Sequence, residues 1–494
     1  MHSQQGAQAS WAAEAAASSA EAAVASFGAC MHELQVARAR TLASFDALPA
    51  DALLGPKLAI VNPPLWELGH LGWFQERWLL RPRADGTLEP SLLRDADALY
   101  DSAAVAHGCR WELPLPGPDA TRRYLAQVLE RVMQRLDAAA GPAMAPGIGD
   151  PDGRGLAFHA TVCAQHEQMH AEAFCYSRQT LGYAALRGAA QRPAGASQQT
   201  ASPEGARGPG HGHDHDHDHD YDLLAGDASF EGGAFRLGAE PDGGFVYDNE
   251  KWAHPVVVAP FEMARVATSA AQFAAFVDDR GYHDRRWWSE AGWAWRTAAG
   301  ALAPVYWRRM QERQGWEVRS NDTWQPLVPG EVMLHVNVHE AEAWCRWAGR
   351  RLPTEAEWEH AASAGGAPPG SCRRRYPWGS TAPDPGRVNL WFPGRAAGPV
   401  AVDAFAAGDS LHGCRQLSGN VWEWTATRFE AYPGFTPDPY HEYSQPWFGT
   451  HRVLRGGCFA TAASLMRNTW RNFFTPERRD VYAGFRTCAL DTTR

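Results

Sequence analysis

Residues 165–174 read QHEQMHAEAF, and residues 62–78 read NPPLWELGHLGWFQERW. In the first stretch His166 and His170 stand four apart, which on a helix puts both imidazoles on one face, about 6 Å apart along the axis. The second stretch supplies His70 from another helix-like segment. Three imidazoles on two facing helices can share one metal ion and leave coordination positions open, which suits catalysis better than a purely structural role. Imidazole alone does not choose among iron, zinc, copper and nickel. His159 lies on much the same face, but about two turns, roughly 10 Å, from His166, so it is expected in the core or in support of a ligand.

Working outward, the His pair sits in a helical pattern over 156–182, and His70 in one over 63–80 that opens with Asn62 as cap and Pro63 at the first helical position. Leu125, Val128, Leu129, Val132 and Leu136 form an apolar stripe over 119–139, and Met31, Leu34, Leu42 and Phe45 keep helical spacing nearer the start. Four such helices suggest a bundle over 29–188, a fold that builds metal sites between facing helices. Residues 1–28 carry no apolar stripe and are expected to be disordered. Residues 189–222 shift to Ala, Gly, Pro, Gln and Ser and end in HGHDHDHDHDYD, whose five histidines from His211 to His219 read as a solvated linker with incidental metal affinity. From 223 to 494 short β-type runs alternate with Gly and Pro turns. Two helices are expected there, one over 268–280 and one opening at Thr354, where Glu357 completes a capping box.

A net charge of −10 over 494 residues leaves no general basic surface, which argues against nucleic acid as a partner. The nine cysteines lack CxxC spacing and resemble reduced thiols, and no apolar run is long enough for a membrane span. The first Lys or Arg is Arg38, so a signal peptide is not expected and the chain reads as soluble and cytoplasmic. Oligomeric state stays open.

The runs RLPTEAEWEHAA (351–362), GNVWEWT (419–425), RVLRGGCF (452–459) and AGFRTC (483–488) resemble the formylglycine-generating, or sulfatase-modifying, enzymes, a C-type-lectin-like architecture. LGHLGWF and HEQMH are similar to a DinB-like bundle. The pairing resembles the iron-dependent sulfoxide synthases of ergothioneine biosynthesis, which use oxygen to join a sulfur donor to hercynine, the trimethylbetaine of histidine. The resemblance implies an α+β multidomain fold: a DinB-like four-helix bundle followed by a formylglycine-generating-enzyme-like domain, with the active site between them.

The same resemblance implies that His70, His166 and His170 bind iron(II), that Asn472 and Phe473 in WRNFFTPERRD meet the betaine, and that a tyrosine protonates a reduced oxygen species. The loop EAYPGFTPDPYHEYSQPWFG offers Tyr432, Tyr440 and Tyr443, with Tyr440 or Tyr443 preferred as the catalytic acid. Arg110 lies where an anionic substrate is met in the family, or is structural if the donor is neutral. Copper-dependent formylglycine-generating enzymes carry cysteines six and eleven positions after the Arg of RGG, where this chain has Thr461 and Met466; Cys458 and Cys488 are therefore expected to be buried free thiols. The ergothioneine enzymes have HEQQH and an acidic residue after the Asn-aromatic pair, whereas this chain has Met169 and Phe474. The ending RNFFTPERRDVYAGFRTC resembles the subgroup linked to selenoneine, in which hercynine is joined to a selenosugar. The expected function is therefore an oxygen-dependent oxidoreductase forming a carbon–selenium bond. The alternatives are an ergothioneine-type synthase using cysteine or glutamylcysteine, and a binding module without catalysis, against which the intact triad counts.

Overall fold

The computed structural model describes residues 27–83, 85–140, 155–186, 226–241, 244–311, 315–363, 374–396 and 398–490. Residues 1–26, most of the segment expected to be disordered, lie outside the described residues, as do residues 187–225 with the linker and its His/Asp tract. Helix α1 (residues 27–46) already includes Phe27, which is buried in the bundle core with Leu34 and Phe45.

The bundle continues with α2 (Pro64–Leu79), a short α3 (Ala96–Tyr100), α4 (Pro118–Ala140) and α5 (Gly155–Leu181). Helix α2 starts one residue later than expected, with Pro63 as its cap and Pro64 at the first helical position. A residue before proline is pushed out of the helical region, which excludes Pro63, whereas Pro64 sits where no N–H is needed. Asn62 caps nothing; its Oδ1 accepts from Arg110 Nη1 at 2.7 Å. The α4 stripe of Leu125, Val128, Val132 and Leu136 is buried in one core with Trp66, Leu68 and Leu71 of α2. A buried polar bolt ties three helices together: Arg38 Nε of α1 donates to Glu167 Oε1 of α5 at 2.7 Å, and Gln75 Nε2 of α2 donates to Glu167 Oε2 at 2.5 Å. Glu167 of HEQMH is thus held in place by packing partners on two other helices.

The C-terminal part is β-rich. In one sheet the strands run in the order Asn472–Phe474, Arg452–Arg455, Trp422–Arg428, Ala483–Gly484; in another the order is Asp227–Phe230, Phe261–Ala264, Cys488–Ala489, Arg350–Arg351. The expected helices correspond to α6 (Ala270–Asp278) and α9 (Glu355–Ser363), and the Thr354 box is present, Glu357 N donating to Thr354 Oγ1 at 3.2 Å and Thr354 N to Glu357 Oε2 at 2.7 Å. Two further helices were not expected: α7 (Glu290–Ala298) and α8 (Val338–Trp347). Helix α8 has a capping box of its own, Asn337 with Glu340, each backbone N–H reaching the other's side chain at 2.9 Å.

The four motif runs meet in two buried ion-pair clusters joined through Trp358, which bonds Glu423 and lies against Arg455. Arg455 reaches Glu355 at 2.8 Å and Glu359 at 2.7 Å, Arg471 reaches Glu355 at 2.6 Å, and Arg486 reaches Glu423 at 3.0 Å. Trp358 Nε1 donates to the second Glu423 oxygen at 2.8 Å. Charges this deep hold only when fully partnered, so the motifs specify the core of the domain. The result is an α+β molecule, a helical bundle docked on a β-rich domain. No helix among the described residues is long and apolar enough to cross a membrane.

Candidate metal centre

Helix α2 aims Glu67, His70 and Phe74 at α5, from which His166 and His170 project back. The three imidazoles converge as the spacing implied: one ligand atom from each lies within 4.8 Å of the others. Two of the rings are oriented through Nδ1. His70 Nδ1 lies 2.9 Å from the Tyr100 carbonyl and His170 Nδ1 2.6 Å from Glu67 Oε1, so each is left with Nε2 for a metal. Burial, helped by the neighbouring His170, pulls the His70 pKa down to about 3, and burial takes His166 well below its ordinary value. Neutral imidazoles with an uncommitted lone pair fit a divalent transition metal.

Local packing explains the LGHLGWF run. Trp66 and His70, one turn apart, send their ring nitrogens to consecutive carbonyls, Trp66 Nε1 donating to Leu99 O at 2.7 Å beside the His70–Tyr100 contact. Tyr100 approaches so closely that a Cβ on Gly69 would lie 2.2 Å from its ring. Trp66 stacks on His70 with centroids 5.1 Å apart, and Phe74 stacks on His166 at 3.7 Å.

The C-terminal domain closes the other side. Tyr440 packs its ring 6.0 Å from that of His166 and 4.9 Å from Phe74, while Tyr443 Oη lies 3.9 Å from the Sδ of Met169, between the two helical histidines. Trp470 Nε1 donates to Tyr443 Oη at 3.3 Å. Burial raises both phenols above the ordinary tyrosine range, so each keeps its proton. Tyr432 lies elsewhere, its hydroxyl 3.3 Å from Glu355 and its ring under Arg471. Phe473 lies 5.9 Å from the Tyr443 ring and stacks on Phe429 at 4.0 Å; Asn472 Oδ1 accepts the Phe473 N–H at 2.8 Å.

Arg110 stands one layer back from the histidines, its guanidinium 3.8 Å over Trp66. Its Nη1 donates to Asn62, and its Nη2 to the carbonyls of Ser102 at 3.4 Å and Val105 at 3.2 Å. His159 stacks on Trp78 at 5.6 Å and is not part of the triad. Cys458 and Cys488 are buried free thiols. Thr461 and Met466, at the positions of the copper cysteines, are fully buried.

Two supporting acids were not read from the sequence. Glu67 stands three residues before His70 on the same helix face, a spacing that offered a signal. Glu172 of α5 crosses into the C-terminal domain, where it accepts from Trp422 Nε1 and Thr461 Oγ1, both at 2.7 Å. Nothing in its local sequence marks that contact.

The sulfatase-modifying factor enzyme 1-like domain family matches residues 221–490, and the DinB superfamily matches residues 33–174. The chain is 38% identical over 458 residues to the hercynine oxygenase of Mycolicibacterium thermoresistibile, covering 91% of this chain and 92% of that protein. It is 36% identical over 470 residues to the hercynine oxygenase of Mycolicibacterium smegmatis, covering 92% and 97%. A formylglycine-generating enzyme of Thermomonospora curvata is 33% identical over 298 residues, 55% of this chain and 95% of that protein. Full-length similarity to the first two, with both domain families in the same order, means that the chain belongs to the hercynine oxygenase family of oxygen-dependent oxidoreductases.

Proposed function

We propose that this enzyme joins a selenosugar to hercynine at an iron(II) centre held by His70, His166 and His170, forming the carbon–selenium bond on the route to selenoneine. The observation that carries the reading is the convergence of the three imidazoles beside Tyr440 and Tyr443. The full-length relatives named as hercynine oxygenases support hercynine as the acceptor. Bound iron would supply one-electron chemistry with dioxygen and a Lewis-acidic site for the chalcogen. Glu67 and the Tyr100 carbonyl fix the imidazole orientations. Tyr440 or Tyr443 provides the proton, and both keep theirs, half-buried where the two domains meet. Asn472 and Phe473 hold the betaine, whose ammonium favours aromatic faces.

Two features favour a neutral donor over glutamylcysteine. Nη1 and Nη2 of Arg110 donate to Asn62, Ser102 and Val105 and only its buried Nε is without a partner, so a bidentate grip on a substrate carboxylate would have to break one of these bonds. Phe474 lies against the Arg478 guanidinium, 5.0 Å away, where ergothioneine enzymes carry an acid. The described cysteines Cys458 and Cys488 are buried thiols, in keeping with a cytoplasmic setting.

The test is a side-by-side assay of hercynine with a selenosugar, cysteine and glutamylcysteine, under oxygen and with iron(II). The selenosugar is expected to react at least about tenfold faster, a barrier difference on the order of 1.4 kcal/mol. Equal or faster turnover with a thiol would place the enzyme with the ergothioneine synthases.

A further inference from the structure

We propose that Asp480 sets the charge class of the donor: by holding Arg478 in a closed ion pair it leaves the wall beside the histidine helix neutral, so an uncharged donor fits there and a carboxylate-bearing thiol is turned away. The inference rests on the selenosugar reading above and names a residue that would enforce it. Asp480 acts through Arg478, as a positioning residue that does not itself touch the donor.

Two elements place this pair beside the candidate centre. On α5, Tyr176 follows Met169 by two helical turns and so shares its face, the one packed against the C-terminal domain, where Met169 meets Tyr443. The Arg478 guanidinium lies 5.9 Å from the Tyr176 ring and 5.0 Å from that of Phe474. Phe474 stands two positions after Asn472 on one strand, and therefore on the same side of it as the residue proposed to meet the betaine. Tyr176 connects this wall to the histidines. Burial raises its phenol pKa, the Arg478 charge opposes the rise, and the carboxylates of Asp480 and of Glu67, which orients His170, add to it.

Charge decides what the wall accepts. Arg478 Nε donates to Asp480 Oδ1 at 2.6 Å and Nη2 to Asp480 Oδ2 at 2.7 Å, a two-point clasp on the fork that would otherwise suit a donor carboxylate. The arginine side chain is 20% exposed and the aspartate side chain 4%, so Arg478 faces outward with the acid behind it. A carboxylate arriving there meets a cation already neutralised and an anion close behind it, and it still loses hydration. A sugar hydroxyl asks for no net charge, and Nη1 remains to donate to it. Selectivity of this kind is made as much by what the wall withholds from one donor as by what it offers the other.

The test uses the full iron-loaded chain with hercynine present and oxygen excluded. Calorimetry measures the affinity of 1-thio-β-D-glucose and of γ-glutamylserine, which carries the carboxylates of glutamylcysteine without its thiol. Asp480→Asn keeps the shape of the side chain and leaves the Arg478 charge unbalanced. It is expected to bind γ-glutamylserine about tenfold more tightly than the parent, with the sugar affinity and the hercynine KM within about twofold. Asp480→Glu, which keeps the charge, is expected to match the parent, and combining Asp480→Asn with Arg478→Met to abolish the gain. Circular dichroism confirms that each variant is folded; should Asp480→Asn not fold, Phe474→Lys decides, because it puts an unpaired cation on the same wall and is expected to show the same gain. An unchanged γ-glutamylserine affinity, or a gain that survives in the double variant, overturns the proposal. So does an equal loss for both ligands, the mark of a structural role, or a shift confined to the hercynine KM, which would give Arg478 to the betaine carboxylate. Donor preference in turnover is read separately. A parent that turns over glutamylcysteine faster than the sugar, while Asp480→Asn still raises γ-glutamylserine affinity, ends the selenosugar reading and leaves the role of Asp480 standing.

Discussion

His335 shows what a single buried side chain imposes on the protein. Its ring is wedged between Tyr306 at 4.7 Å and Tyr482 at 5.3 Å, and burial pulls its pKa from 6.5 down to about 3. Neutral in the fold, it takes a proton near pH 6.5 once the chain unfolds. The stability it contributes is therefore complete above 6.5 and is lost as the pH falls toward 3, by at most about 1.4 kcal/mol per pH unit. Asparagine tolerates the left-handed backbone at this position, φ 61°, and does not titrate. His335→Asn is expected to flatten the fall in unfolding free energy between about pH 6 and pH 4; parallel slopes for parent and variant would refute this. At this scale the sequence was uneven. The i, i+4 spacing of His166 and His170 reports a shared face directly, because helix geometry is local. Arg110 was open to a substrate role or a structural one, because its partners Asn62, Ser102 and Val105 are set by how two loops pack.

Among the elements, α2 is the most constrained, because it carries a ligand and has to admit Tyr100 at the same height. Gly69→Ala would place a methyl 2.2 Å from a tyrosine ring that is itself fully buried and cannot swing away. Either α2 or α3 must shift, and with it the Tyr100 carbonyl that orients His70. Overpacking of this kind typically costs about 1–3 kcal/mol, so the variant is expected to lose stability in that range in urea unfolding and to bind metal more weakly. Unchanged stability and affinity would mean that Tyr100 has room to move. The helices of the bundle were legible because their apolar stripes are regular. Helices α7 and α8 were not, although Asn337 and Glu340 spell a capping box. Their tryptophans break any clean stripe, since Trp293, Trp295, Trp344 and Trp347 pack on several sides of one aromatic core.

For the whole molecule the decisive contacts are those that dock one domain on the other, and sequence alone did not reveal them. Glu172 is buried, with burial raising its carboxyl pKa, and it satisfies two buried donors of the C-terminal domain. Arg40 of α1 donates to the Ala460 carbonyl and lies 4.2 Å over Trp391. Glu172→Ala strands Trp422 Nε1 and leaves Thr461 Oγ1 only Cys458 Sγ, 3.4 Å away, as acceptor, and a lost acceptor costs about 1–3 kcal/mol per buried donor. A loss on the order of 3 kcal/mol is therefore expected in chemical unfolding, and a smaller one for Glu172→Gln, whose amide keeps one acceptor. An alanine variant as stable as the parent would show that the domains dock without this contact. Docking matters because the candidate centre is built from both sides: the histidines come from the bundle, and the tyrosines from the loop that the C-terminal domain lays against it. The most direct measurement is iron content together with hercynine-dependent oxygen uptake, on protein prepared without nickel and lacking residues 211–219. The parent is expected to hold about one iron per chain and to consume oxygen, and His70→Ala, His166→Ala and His170→Ala each to lose both. Full iron content and full oxygen uptake in any one of the three variants would contradict a three-histidine centre.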